Sequence, residues 1–238
     1  MAGMIEAVTF DFWNTIARVR GQMVAARVRT VGAVLAQGER EVEPEELTAA
    51  LERVAAHWER SWEAGTHLHP RDGAAMLVRE LGVEGAAEEL VAEAFLNAGS
   101  EAELEIAPGL GPVLAELDGR GVRLGIVCDV GFAGGEQLRA LLAREGLLTH
   151  FSGWGFSDEV GHYKPSPQIF EAALAALGAP PERALHVGDL RRTDVAGAAA
   201  LGMGTVRYRG LHDDLDSAPV EAEHVLDDHR GLLEVVGG

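Results

Sequence analysis

From residue 107 to about residue 210, short apolar runs alternate with helical segments, and this rhythm constrains the fold more than any other feature. PGLGPVLAELDGRG reads as a helix closed by glycine, and VRLGIVCD as a buried strand. GGEQLRALLAREG is a helix, and HFSGWGFSDE holds a short strand. SPQIFEAALAALG is a helix, ALHVGD a strand, TDVAGAAALG a helix and GTVRYRG a strand. Alternation of this kind builds a parallel sheet with helices on both faces, joined by right-handed crossovers.

IEAVTF (residues 5–10) adds a strand that ends at Asp11. From Arg18 to Ser100 the pattern is helical, with no strand-like stretch. The clearest segment is EPEELTAALERVAAHWERSW. Pro44 suits a first helical position, and Leu47, Leu51, Val54, Trp58 and Trp62 recur on one apolar stripe, which places all five in a core. Helices are also expected over 19–37, 70–81 and 86–98. The fold class is therefore α/β: a doubly wound, Rossmann-like parallel sheet from residues 1–16 and 107–238, with a helical domain of residues 17–106 inserted after the first strand.

Apolar residues make up 47% of the 238, enough for a real core. The formal net charge of −18 disfavours nucleic acid and anionic lipid as partners. One cysteine excludes an intrachain disulfide and fits a reducing compartment. MAGMIEAVTF lacks the pattern of a secretory leader, and no apolar run approaches the roughly 20 residues of a membrane helix. A cytoplasmic protein is expected, a monomer or a homodimer.

In an open parallel sheet, ligands bind beyond the carboxyl ends of the strands. Asp11, Cys128–Asp129 and Asp189 fall there, and Asp194 lies five residues beyond Asp189. Lys164 sits in HYKPSP, just before a helix. Singly, an aspartate at a strand end is a turn former or a helix cap, and a lysine a solvated surface residue. Together, converging carboxylates and one lysine suit a hard cation and a phosphate.

The order DFWNT, a small residue after the IV run, YKPSPQIF and GDLRRTDVAGAAALG resembles the haloacid dehalogenase superfamily of aspartate-nucleophile hydrolases, over the whole chain. The resemblance implies that Asp11 attacks the substrate and also binds Mg2+, together with the Trp13 carbonyl and Asp189. Asp194 is then a ligand or the partner of one. Lys164 would hold nucleophile and phosphoryl group together, Thr15 would shape the turn after Asp11, and the insert would be a mobile cap that excludes water. Cys128 and Asp129 fall where the family contacts phosphate or substrate, and Trp13 is also a candidate substrate contact. The substrate would be a small, anionic molecule.

Two positions depart from the phosphatase pattern. Trp13 stands where most phosphatases of this family carry a second aspartate for proton transfer, and an indole has no titrating group near neutrality. Cys128 replaces a Ser or Thr that contacts phosphate; a small buried residue is the plainer reading. His57, His67 and His69 are expected at the surface, although any of them could supply the missing acid. His186 is expected to be buried structure, and Arg18 and Arg20 solvated. Three functions follow: a magnesium-dependent phosphatase or phosphotransferase, a metal-independent 2-haloacid dehalogenase, or a non-catalytic binding member. The aromatic at position 13 suits the dehalogenase. Retention of Asp11, Asp189 and Asp194, costly without a counter-ion, favours the metal-dependent enzyme.

Overall fold

A computed structural model describes residues 4–21, 23–38, 40–99, 102–216 and 220–237. Residues 1–3, Gln22 of the expected 19–37 helix, and Ser100 at the end of the expected helical block lie outside the described residues. The chain opens with β1 (Ala7–Phe10) and β2 (Ala17–Val19), then runs through α1 (Met23–Gln37), α2 (Pro44–Glu63), α3 (Pro70–Glu80), α4 (Ala87–Asn97) and β3 (Leu104–Ile106). There follow α5 (Leu110–Gly119), β4 (Arg123–Cys128), α6 (Gly135–Arg144), β5 (Phe151–Phe156), α7 (Ser157–Val160), α8 (Pro167–Leu177) and β6 (Ala184–Gly188). The last elements are α9 (Ala196–Ala200), β7 (Gly204–Tyr208), β8 (His224–Leu226) and α10 (Leu232–Gly237). By contacts the chain forms two compact units: Met1–Arg18, Leu104–Asp129 and Leu142–Gly238 in one, and Val19–Glu103 and Val130–Leu141 in the other.

The first unit is a six-stranded sheet in the order β5-β4-β1-β6-β7-β8, parallel throughout. This is the α/β, Rossmann-like sheet the alternation implies. All four residues of β1 are buried, as befits a central strand covered on both faces. Phe10 sits beside Ile126 of β4 on one side and Val187 of β6 on the other. Helix α8 buries Ile169, Phe170, Ala173, Leu174 and Leu177 and ends at Gly178. It lies so close to β5 that a Cβ at Gly155 would stand 2.1 Å from the Ile169 carbonyl oxygen. The glycines of FSGWGF are thus where backbone meets backbone.

The second unit is helical. Pro44 starts α2, Glu45 and Glu46 lie in its first turn where the helix dipole favours acids, and Leu47, Ala50, Leu51 and Val54 are buried. They pack in one core with Val31, Leu77, Val91 and Phe95. Trp58 and Trp62, expected in that core, are half-buried instead. Their rings stack on each other, centroids 5.9 Å apart and 10° from parallel, which suits an amphipathic indole at a core's edge. Phe132 lies 5.1 Å from Phe95 and 6.0 Å from Trp58, and these contacts group residues 130–141 with the helices. The strand and helix alternation assigns those residues to the sheet half, residues 107–238.

Two further differences follow from length. Strands β2 and β3, three residues each, form a separate two-stranded sheet. The expected helical block overran β2 because three residues are too few for a period to show. Beyond GTVRYRG the short β8 and α10 extend the sheet unit. Among the described residues, no helix is long and apolar enough to cross a membrane.

Candidate active site

Asp11 follows β1 and Asp189 follows β6, adjacent strands on either side of the point where strand order reverses. Cys128 ends β4, Asp129 follows it, and Lys164 precedes α8. The Lys164 ammonium donates to Asp11 Oδ1 at 2.6 Å, to Asp194 Oδ1 at 2.7 Å and to the Val127 carbonyl at 3.2 Å. Three acceptors match its three hydrogens. The Lys164 amide donates to Asp129 Oδ1 at 2.9 Å, so Asp129 fixes the backbone that carries the lysine.

GDLRRTD folds so as to bring Asp194 back over the end of β6. Residues Arg191–Val195 form a π-helical turn, a widened geometry frequent at functional sites. Asp194 Oδ2 accepts from the Leu190 amide at 3.0 Å. A Cβ at Gly188 would lie 2.2 Å from Asp194 Cγ, so glycine there makes room for the carboxylate. His186 Nε2 lies 3.0 Å from Asp194 Oδ1, and Nδ1 lies 2.9 Å from Thr9 Oγ1. Burial lowers the His186 pKa, against the pull of Asp194, which keeps the ring neutral at neutral pH. A neutral ring has one proton, and a carboxylate only accepts. Nε2–H therefore donates to Asp194, while the Thr9 hydroxyl has one proton for two acceptors, Nδ1 and the Leu185 carbonyl at 3.3 Å.

Three buried carboxylates face one ammonium. Burial works to raise Asp194, but Lys164 and His186 hold it far below the usual carboxylate range. Burial, assisted by Asp194 and Asp129 and opposed by Lys164, pushes Asp11 up to about 7. Asp189 is pushed up to about 9 by burial and then by Asp11 and Asp194. Burial weakens the Lys164 charge, yet Asp11, Asp194 and Asp129 hold its pKa well above normal. Burial and Asp11 push the Cys128 thiol up, so it stays protonated. That environment is the reverse of one that activates a cysteine.

The turn after Asp11 is held from several sides. The Phe12 carbonyl accepts from the amides of Ile16 (2.9 Å) and Ala17 (3.1 Å), and Asn14 adopts φ 59°, a left-handed conformation asparagine tolerates. Thr15 is wholly buried, and its carbonyl accepts from His229 Nε2 at 2.8 Å. His229 stacks on Tyr208, centroids 3.9 Å apart, and burial lowers its pKa to about 4. Trp13 is half-buried, its ring edge-on to Phe12 at 4.8 Å.

The sheet unit thus brings Asp11, Asp129, Lys164 and Asp194 into direct contact. Sequence reasoning missed Thr9, His212 and His229 and gave His186 burial without a partner. His212 Nδ1 lies 2.9 Å from Asp189 Oδ2. Nothing local marks these residues: Thr9 and His186 are 177 positions apart. His57, His67 and His69 are half-buried rather than at the surface, and His69 serves as the N-cap of α3, accepting from the Arg71 amide. Arg18 and Arg20, expected to be solvated, are exposed but paired with Glu105 and Glu103.

A strand-end aspartate bridged by lysine to a second aspartate, on a parallel sheet with a helical insert, defines a hydrolase class, and comparison with known proteins names it. Residues 5–202 match the haloacid dehalogenase-like hydrolases, and the chain belongs to that family. It is 34% identical over 242 residues to the glyceraldehyde 3-phosphate phosphatase of Methanopyrus kandleri, covering 98% of this chain and 97% of that one. It is 38% identical over 132 residues to the phosphoserine phosphatase of Thermus thermophilus, covering 54% of this chain and 51% of that one. Its fold is similar to the crystal structure of a 2-haloacid dehalogenase from Pseudomonas syringae, with a TM-score of 0.70, 23% identity and coverage of 98% and 99%.

Proposed function

We propose that the chain is a magnesium-dependent phosphatase or phosphotransferase that acts on a small phosphorylated metabolite through an aspartyl-phosphate on Asp11. The observation that carries this reading is the Lys164 ammonium seated between Asp11 and Asp194 at the end of the central strand. A carboxylate oxygen of Asp11 attacks phosphorus, the bond to the leaving oxygen breaks, and water then cleaves the acyl-phosphate. Lys164 holds the nucleophile in place and offsets charge on the phosphoryl oxygens. The full-length relative's action on glyceraldehyde 3-phosphate supports a small phosphate ester as substrate.

The donor set fits a hard divalent cation. Asp11 and Asp189 are two oxygen donors, both raised first by burial, Asp11 then by Asp194 and Asp129 and Asp189 by Asp11 and Asp194, and the Trp13 carbonyl adds a neutral oxygen. Among the described residues no group of three or more His, Cys, Asp or Glu is arranged to hold a metal. Asp194 has both oxygens engaged by Lys164, His186 and Leu190, so it serves here as the anchor of the lysine. Bound at Asp11, Asp189 and Trp13, magnesium supplies charge neutralisation to the phosphoryl group. Cys128 and Thr15, both wholly buried, shape the walls of the site rather than touch substrate. Trp13 donates no proton to the leaving group, so esters with good leaving groups turn over fastest. The single cysteine supports a cytoplasmic enzyme.

The test is a panel of phosphate esters and 2-chloropropionate, with and without Mg2+, beside Asp11→Asn. The wild type is expected to release phosphate only with Mg2+, and the variant to lose at least about a thousandfold in rate. Chloride release that survives a chelator overturns the reading in favour of the dehalogenase.

A further inference from the structure

We propose that His212 is a positioning residue that orients Asp189 for a divalent cation, and that a loop clamped by three arginines holds it there. The inference rests on the reading above that Asp189 is a cation ligand. A carboxylate at a strand end is free to rotate about its last side-chain bond. Here His212 Nδ1 lies 2.9 Å from Oδ2; towards an ionised Asp189 the ring can only donate, and that bond fixes the carboxylate plane and leaves Oδ1 as the oxygen for a cation. Partners that lock metal-binding side chains in this way are part of how metal sites gain affinity.

The plainer reading is a chance surface contact, since the His212 side chain is 46% exposed. The loop argues otherwise. Arg18 Nη1 donates to the Leu211 carbonyl at 3.2 Å. Arg207 pairs with Asp213 at 2.5 Å. Asp214, 6% exposed, accepts the Arg191 amide at 2.8 Å, and Arg191 Nη2 donates to the Asp214 carbonyl at 2.9 Å and to that of Asp216. Residues on both sides of His212 are therefore tied down. Arg191 is the first arginine of GDLRRTD, two positions from Asp189, so the motif that carries the ligand also carries the clamp for its partner. Those arginines have no part in the chemistry proposed above. The clamp gives them one.

The experiment measures binding of Mg2+ alone to the full chain by titration calorimetry, and of Mn2+ by paramagnetic resonance. It uses wild type, His212→Ala and His212→Asn, with thermal unfolding in chelator as the control for folding. Asparagine keeps an N–H donor near the Nδ1 position. Expected are an affinity about tenfold weaker in His212→Ala, recovery of most of it in His212→Asn, and metal-free unfolding midpoints unchanged in both. Equal affinity in wild type and His212→Ala overturns the inference, as does a His212→Asn variant no better than alanine. A wild type that binds neither ion overturns the reading of Asp189 as a ligand, a failure separate from that of His212.

Discussion

Lys164 in the sheet unit and Arg27 in the helical unit are 4% and 9% exposed, yet burial acts on them with opposite outcomes. Around Lys164 the acids Asp11, Asp194 and Asp129 outweigh the loss of water, and its pKa rises. Arg27 stands on α1 in register with Val31 and Leu35, its guanidinium 5.0 Å from the Phe95 ring and 5.4 Å from Phe132. Nothing among the described residues hydrogen-bonds its Nε, and burial lowers its pKa to about 10. A charge can thus be housed by counter-charges, which depend on it in return, or by aromatic faces, which do not. Removal of the two cations should therefore have unequal consequences.

The largest effect is expected at Lys164. In Lys164→Met, Asp11 and Asp194 lose their shared counter-ion, which costs about 3–5 kcal/mol, read as a shift in the urea midpoint without magnesium. A loss under about 1 kcal/mol would break the comparison, because the carboxylates would then have managed without the lysine.

His229 sharpens it as a buried base in the sheet unit with no counter-charge of Lys164's kind. Its folded pKa of about 4 lies below the ordinary 6.5. Between these values the unfolded chain binds a proton that the folded chain refuses. The stability is therefore complete above pH 6.5 and lost as pH falls towards 4, by roughly 3 kcal/mol. Urea unfolding of wild type and His229→Gln at pH 7 and pH 4.5 checks this: the gap between the two proteins should shrink or reverse at the lower pH. A gap independent of pH would show that the ring is not held neutral by burial.

The smallest effect is expected at Arg27. Methionine fills similar space, keeps contact with both rings and strands no acid, so Arg27→Met should lie within about 1 kcal/mol of wild type, on either side. A loss as large as that of Lys164→Met would mean the guanidinium holds its unit together by more than ring contacts.

The sheet was legible in the sequence because parallel strands buried on both faces are short continuous apolar runs, and VRLGIVCD and ALHVGD are unmistakable as such. β2 and β3 were not, since ARV and LEI are too short to show a period. The helical stripe was right for Leu47, Leu51 and Val54 and wrong for Trp58 and Trp62, because periodicity gives the face of a helix and not how far along it the core extends. Asp11, Lys164, Asp189 and Asp194 could be marked as a set from order and strand ends. The Thr9–His186–Asp194 chain and the His212–Asp189 bond could not. They join residues by long-range folding rather than by spacing.

The place of β1 at the middle of the sheet has a consequence for synthesis. Its partners come far later in the chain: Ala7 pairs with Arg123 on one edge and with Ala184 on the other. A growing polypeptide therefore presents AVTF with both edges bare until β4 has emerged, and with one edge bare until β6 has followed. Asp11 meets Lys164 and Asp194 only after those residues are made. A truncated product ending before β6 has no assembled site, and its first strand is left as an open template for aggregation.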